Sequence, residues 1–276
     1  MSYKEQSSRQ ARLFGGSAPW NEVLDAAERQ PAPNGREVMF DLVREVGLNP
    51  GKVVLDVGSY GGRHAIPLAQ EFDCHSIALD LVLPGLQSAP DAIQAAGVSD
   101  CVSLLQADAH EMPLRNGCID MIVSNDMLSC VEPPRFLAEC ARVLSPAGNM
   151  VLHAVYFTAL MEVNERARLT AAFALTDGTD RERTEEAIHK AGLDVVQVHD
   201  FGFQSLEANL IKGDQRLAED HLTAMRLRRG EPELIGRFGQ DWYNTILASY
   251  EWMPLMALGK LENTFYVLRH HSTPMG

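Results

Sequence analysis

The chain has little with which to hold a metal or build a disulfide framework. Its five cysteines, Cys74, Cys101, Cys118, Cys130 and Cys140, are odd in number and form no C-x-x-C pair, so they read as buried thiols. No metal is expected. Positive charge is scarce: 24 Lys and Arg against 37 Asp and Glu leave a net charge of −13, which argues against a nucleic-acid partner. No apolar run is long enough to span a bilayer, and the N-terminus, Met-Ser-Tyr-Lys-Glu-Gln, lacks the apolar core of a secretory signal. A cytoplasmic monomer or homodimer with no membrane partner is therefore expected. Two nucleotide-binding patterns are also missing. A G-x-G-x-x-G fingerprint starting at Gly58 would need glycine where the chain has Tyr60 and Arg63, and no Gly-Lys-Ser/Thr of a P-loop occurs.

What is present is 46% apolar residues over 276 positions, enough for one large core with an accessory subdomain. The informative stretch is Lys52 to His64, Lys-Val-Val-Leu-Asp-Val-Gly-Ser-Tyr-Gly-Gly-Arg-His. Val53 to Val57 are apolar without alternation apart from Asp56, the pattern of a strand covered on both faces. Gly58, Gly61 and Gly62 then permit a sharp turn, and the helix that follows aims its partly positive N-terminus at the same space. Such a turn is suited to a cofactor.

Strand and helix alternate from there. Expected strands are His75–Asp80, Val102–Gln106, Cys118–Ser124 and Asn149–Val155, separated by helices over 62–72, 85–96 and 133–144. Asp80 falls 24 residues after Asp56, where a βαβ unit brings an acid to the carboxyl edge of the neighbouring strand and within reach of a ribose. Asp108 follows the third strand at that edge, placed to accept an adenine amino hydrogen while the Ala109 amide donates to a ring nitrogen. Before the sheet, residues 1–50 form an arm with helices at Trp20–Gln30 and Arg36–Val46, and Trp20 reads as a core anchor.

These residues resemble the class I S-adenosylmethionine-dependent methyltransferases, in their small-molecule branch that includes the ubiquinone-pathway C-methyltransferases. The resemblance rests on Leu55-Asp-Val-Gly-Ser-Tyr-Gly-Gly62, Asp80, Ala107-Asp-Ala-His-Glu-Met-Pro-Leu114, Ile119-Asp-Met-Ile-Val-Ser124 and Ala141-Arg-Val-Leu-Ser-Pro-Ala-Gly148 in this order. It implies an α/β fold: a doubly wound, mostly parallel seven-stranded Rossmann-like sheet with an antiparallel last strand and a helical lid. S-adenosyl-L-methionine is the implied cofactor and a small molecule the implied substrate. By the same match, Asp56, Gly58 and Gly62 border the methionine end of the cofactor, Asp80 the ribose, Asp108 and Ala109 the adenine, and Ser124 with Asn125 the floor beneath the sulfonium. Ser59, Tyr60 and Leu81 complete that set. Tyr60 departs from the pattern, which has glycine there. Either the turn is reshaped around Gly61, or Tyr60 lines the pocket next to the methyl donor.

The core is expected to cover 51–204 and 261–276, with a helical lid at 205–260. After the fifth strand come a helical insertion over 157–174, a crossover helix from Thr179 to Ala191 capped by Thr179 or Asp180, a sixth strand at Leu193–His199 and a last strand at Asn263–Arg269. In the lid, Tyr243, Ile246, Leu247, Tyr250 and Met253 recur at helical spacing up to Pro254, which should kink or end the helix, and its partner is 215–228. Trp242, Tyr243, Tyr250 and Trp252 are candidates to line a substrate pocket, or to hold the lid to the core. For an acceptor that must lose a proton, His110, Asp126 and His153 are the candidate bases. The competing readings are a nicotinamide-dependent dehydrogenase and a non-catalytic ligand-binding relative.

Overall fold

The computed structural model describes residues 35–201 and 213–271; the arm helix at Trp20–Gln30, Trp20 and the first turn of the expected lid lie outside them. Five parallel strands, β1 (Val53–Val57), β2 (His75–Asp80), β3 (Val102–Gln106), β4 (Ile119–Asn125) and β5 (Leu144–Phe157), take the order β3-β2-β1-β4-β5. β7 (Leu261–His270) joins β5 antiparallel, and β6 (Leu193–Phe201) closes the sheet beyond it, antiparallel to β7. The doubly wound sheet with an antiparallel last strand is as expected.

Neighbouring residues of the central strands face opposite sides, which is why an unbroken apolar run is needed. Val54, Met121, Val123, Val151 and Val267 pack on one face with Met39, Phe40, Leu42 and Val43 of α1 (Gly35–Glu45) and Leu68 of α2 (Ala65–Phe72). Leu55, Val57, Ile122, Leu152 and Tyr266 pack on the other with Phe136, Leu137 and Cys140 of α5 (Pro133–Val143) and Ile188 of α7 (Arg181–Lys190). Each fully buried side chain of this size contributes about 1.5–3 kcal/mol. That two-sided burial leaves β1 and β4 covered on both faces, and their carboxyl ends carry the candidate site.

Several boundaries differ from the expectation. The first helix after the glycines starts at Ala65, because Gly62 sits at φ +81 and cannot enter a helix. The segment read as one helix splits at Ser88 into α3 (Leu83–Gln87) and α4 (Ala89–Ala96). β3 ends at Gln106, so Asp108 stands two residues past it. β5 begins at Leu144 and passes through Ser145-Pro146-Ala147-Gly148, with Gly148 pressed against the carbonyl of Asp120. Asp180, not Thr179, caps α7 by accepting from the Arg183 amide.

Among the described residues between β6 and β7 stand three helices, where the sequence suggested two: α8 (Arg216–Arg229), α9 (Glu231–Phe238) and α10 (Gln240–Ala257). Pro254 neither ends nor breaks α10. It lies in the last turn, where its carbonyl still accepts from the Leu258 amide. The three helices have an interior of their own around Ala224, Tyr243 and Leu247. They join the sheet through a second cluster, in which Trp252 meets Phe173 of α6 (Val163–Phe173) edge to face at 5.6 Å. Glu251, only 5% exposed, binds Arg168 of α6 and Arg228 of α8 together. Among the described residues no helix is long and apolar enough to cross a membrane.

Candidate functional site

The carboxyl ends of β1, β2 and β4 are adjacent, so Asp56, Asp80 and the Ser124-Asn125-Asp126 run arrive at one rim. Asp56 is 1% exposed, and its Oδ2 accepts from Ser59 Oγ at 2.6 Å and from the Ala65 amide at 3.0 Å. It thereby does the N-terminal capping of α2 that the side chain of His64, the residue in the N-cap position, does not supply. His64 Nδ1 lies 3.7 Å from Asp56 Oδ1, which has no hydrogen-bond partner.

Tyr60 resolves its two expected arrangements in a third way. It adopts φ +51, the left-handed backbone that glycine would supply, and keeps the turn intact. Its amide donates to Asp80 Oδ2 at 2.7 Å, and its ring lies against Gly85 of α3, where a Cβ would come within 2.6 Å of the ring. The phenol thus packs toward α3. Gly58, at φ +80, is crowded by the side chain of Met127: a Cβ there would meet its Sδ at 2.3 Å. Sequence reasoning missed Met127, because nothing in an apolar residue after an acid marks it.

Both oxygens of Asp80 are engaged by backbone amides, Oδ1 by Val82 at 2.8 Å and Oδ2 by Tyr60. Its pKa is nevertheless raised, chiefly by burial, with the charge of Asp56 adding to the rise and the amide hydrogen bonds opposing it. Leu81 beside it is 39% exposed. Asp108 spends Oδ1 on the His110 amide (2.9 Å) and ring Nδ1 (2.8 Å), while Ala109 is buried.

His110 is corrected by the geometry. Its side chain is fully enclosed; Nδ1 faces Asp108 and Nε2 accepts from the Glu132 amide at 3.0 Å. With both ring nitrogens committed, it braces the loop after β4 and is in no position to take a proton from a substrate. His153 is corrected likewise, since its Nδ1 and Nε2 are held by the side chains of Asn125 and Asn263, and burial pushes its pKa down to about 4.

Asp126 remains. It sits at φ +54 just past β4, tied down where its amide donates to the His153 carbonyl (3.1 Å) and its carbonyl accepts from Ser129 Oγ (2.9 Å). Its Oδ1 is buried without a partner, and burial pushes the pKa up to about 7. Burial raises the neighbouring Cys130 thiol to about 12, with the charges of Asp126 and of Asp80 contributing. Ser124 Oγ, on the residue paired with Val57, is a third buried atom with no partner. Three orphaned oxygens, Asp56 Oδ1, Ser124 Oγ and Asp126 Oδ1, therefore lie at the carboxyl ends of β1 and β4, Asp56 on the face of α1 and α2 and Ser124 on the opposite one. Buried acceptors left unpaired are costly, so the arrangement is matched to a ligand bringing N–H donors or positive charge.

The four lid aromatics do not converge there as a set. Tyr243 is 4% exposed inside the lid's own cluster, and Trp252 anchors the lid to α6. Tyr250 and Trp242 are half-buried, with Tyr250 packed against the lid cluster. Among the described residues no group of three or more metal-ligating side chains is assembled.

Residues 55–152 match a family model described as a methyltransferase domain. An uncharacterised protein of Haemophilus influenzae is 30% identical over 126 residues, 45% of this chain and 50% of the relative, so the chain spans about half of that protein. Methyltransferase GfsG of Streptomyces halstedii is 25% identical over 209 residues, 74% of this chain and 75% of that one. Among solved structures, Haemonchus contortus phosphoethanolamine N-methyltransferase 2, in complex with phosphomonomethylethanolamine and S-adenosylhomocysteine, superposes with a TM-score of 0.65 at 16% identity, covering 86% of this chain and 53% of that one.

Proposed function

We propose that the chain, whose residues 55–152 match a methyltransferase domain, is a class I S-adenosylmethionine-dependent methyltransferase that transfers the methyl group of S-adenosyl-L-methionine to a small, partly apolar metabolite. The observation that carries the reading is the trio of orphaned buried oxygens at the rim. The donor's ammonium and sulfonium are cations, and a rim whose acids outnumber its bases is complementary to both.

In this assignment Asp56, Gly58, Ser59 and Gly62 shape the turn around the methionine end, with Ser124 and Asn125 as the floor. Asp80 and Leu81 take the ribose and the edge of the adenine, Tyr60 stiffens that side through Gly85, and Asp108 with Ala109 meets the base. The bound donor supplies an electrophilic methyl group; the protein aligns the acceptor in line with it and excludes water. Asp126 is the group that receives the acceptor's N–H or O–H, its buried oxygen ready to accept and its pKa near neutrality suited to taking up a proton. The helices α8 to α10 act as the substrate lid over this rim. Five free thiols fit a reducing, cytoplasmic setting.

Calorimetric titration with S-adenosylmethionine and S-adenosylhomocysteine tests the proposal. Both should bind, and Asp80→Ala should weaken both by about tenfold or more. Wild-type protein that binds neither, or an Asp80→Ala variant that binds as the wild type does, would refute it. Asp126→Asn should keep donor binding and lose most methyl transfer across an acceptor panel.

A further inference from the structure

His153 lies between two carboxamide oxygens, Asn125 Oδ1 at 2.8 Å from Nδ1 and Asn263 Oδ1 at 2.9 Å from Nε2, with its ring stacked on Phe265 at 4.5 Å. A neutral imidazole has one N–H and one lone pair, so it donates to one of these amides and must accept from the other. Burial keeps this ring neutral, and the nearby His64 works in the same direction. The choice between the two amides is made by a third contact. Asn263 Nδ2 donates to Met256 Sδ at 3.1 Å, which turns the Asn263 oxygen toward His153 Nε2. Reversing Asn263 would set its oxygen against the thioether, acceptor against acceptor. Nε2 therefore carries the hydrogen, and Nδ1 is the lone pair.

A lone pair at Nδ1 cannot face an acceptor, yet Asn125 Oδ1 is the atom set 2.8 Å from it; oxygen and nitrogen of a carboxamide are interchangeable in outline, so the Asn125 amide is turned over and its NH2 donates to Nδ1. Its carbonyl oxygen must then point away from the ring. Asn125 is the last residue of β4, half-buried, between Ser124 and Asp126 at the rim. Resting on the function proposed above, we infer that His153 is a positioning residue: held as the Nε2–H tautomer between Asn263 and Asn125, it turns the Asn125 carbonyl oxygen toward the cationic end of the methyl donor. The chain of contacts starts in α10 with Met256, passes through Asn263 on β7 and His153 on β5, and ends at the floor of the donor site. The last turn of the lid helix thus sets the polarity of an atom on the opposite side of two strands.

Long-range proton–nitrogen correlation of the imidazoles in the full chain at pH 7, with His153 assigned by its loss in His153→Gln, reads the tautomer without any ligand. The Nε2–H form is the expected result; an Nδ1–H form or an imidazolium would overturn the inference. Calorimetry with S-adenosylmethionine and S-adenosylhomocysteine gives the second reading. Asn125→Leu should cost the charged donor about tenfold more affinity than the neutral product. Asn263→Asp, which keeps an acceptor at Nε2–H, should leave the tautomer and the affinity ratio as in the wild type. Equal losses for both nucleosides in Asn125→Leu would overturn the orientation of the oxygen. Wild-type protein that binds neither nucleoside but shows the Nε2–H tautomer would sink the function, and with it the role assigned to that oxygen.

Discussion

Replacing Gly85 with alanine probes the unusual turn directly. A Cβ there would stand 2.6 Å from Cδ2 of Tyr60, 3.0 Å from Cε2 and 3.1 Å from Cγ, so the whole ring edge must move. Overpacking of this kind costs about 1–3 kcal/mol. The change also removes a glycine from a helix, worth up to about 1 kcal/mol in the opposite direction. The net expectation is a loss of about 1–2 kcal/mol. Tyr60 has little freedom to retreat, because its backbone is held at φ +51 and its amide is bonded to Asp80. In a Tyr60→Gly background the obstacle is gone and the left-handed residue is relieved by about 1 kcal/mol, so Gly85→Ala should become neutral or mildly stabilising. Urea denaturation of the four proteins of this cycle measures the coupling, expected at about 2 kcal/mol. If Gly85→Ala costs the same in both backgrounds, Tyr60 does not rest on Gly85 and the account of the turn is wrong.

Two further perturbations follow from the burial of charge. Folded Asp126 holds its proton up to about pH 7, whereas the unfolded chain releases it near 4, so stability falls as pH rises across that window, by about 1.4 kcal/mol per unit at most. His153 has the opposite sign: its lowered folded pKa means stability is complete above about pH 6.5 and declines as pH falls toward 4. The two slopes oppose each other between pH 4 and 6.5, and Asp126→Asn should expose the second while raising stability at pH 8 by on the order of 2–4 kcal/mol. Unchanged stability of Asp126→Asn at pH 8 would contradict the burial argument. Glu251→Gln removes the acid shared by Arg168 and Arg228; both arginines reach solvent, so the expected cost is about 1–3 kcal/mol. Hydrogen exchange should quicken in α8 and α10 and stay unchanged in β1 and β4; uniform quickening would mean that Glu251 does not act locally.

The sheet was legible because its strands had to be apolar on both faces, and the turn after β1 because glycines punctuate it. Asp56, Asp80 and the residues after β4 could be placed from chain order alone, since parallel strands put every carboxyl end on one edge. The committed ring nitrogens of His110 and His153 were not legible. Apart from Asp108, two residues before His110, their partners Glu132, Asn125 and Asn263 lie 22, 28 and 110 residues away, and no local pattern ties those to the rings. The lid aromatics were ambiguous for a related reason: helical spacing shows which residues share a face, and says nothing of whether that face meets a ligand or another helix. Tyr60 broke the glycine pattern in sequence yet preserved its backbone, a substitution visible only with Gly85 beside it.

The position of β7 between β5 and β6 has a consequence for how such a chain can change. The helices α8 to α10 leave the sheet from its outermost strand and return to it one strand further in, so their two attachment points are neighbours on a rigid frame. Everything between them is a cassette whose ends stay put whatever its contents. On the function proposed above, a different acceptor would be met by rewriting that cassette, while the rim at the carboxyl ends of β1, β2 and β4, on the other side of β5, would keep its frame.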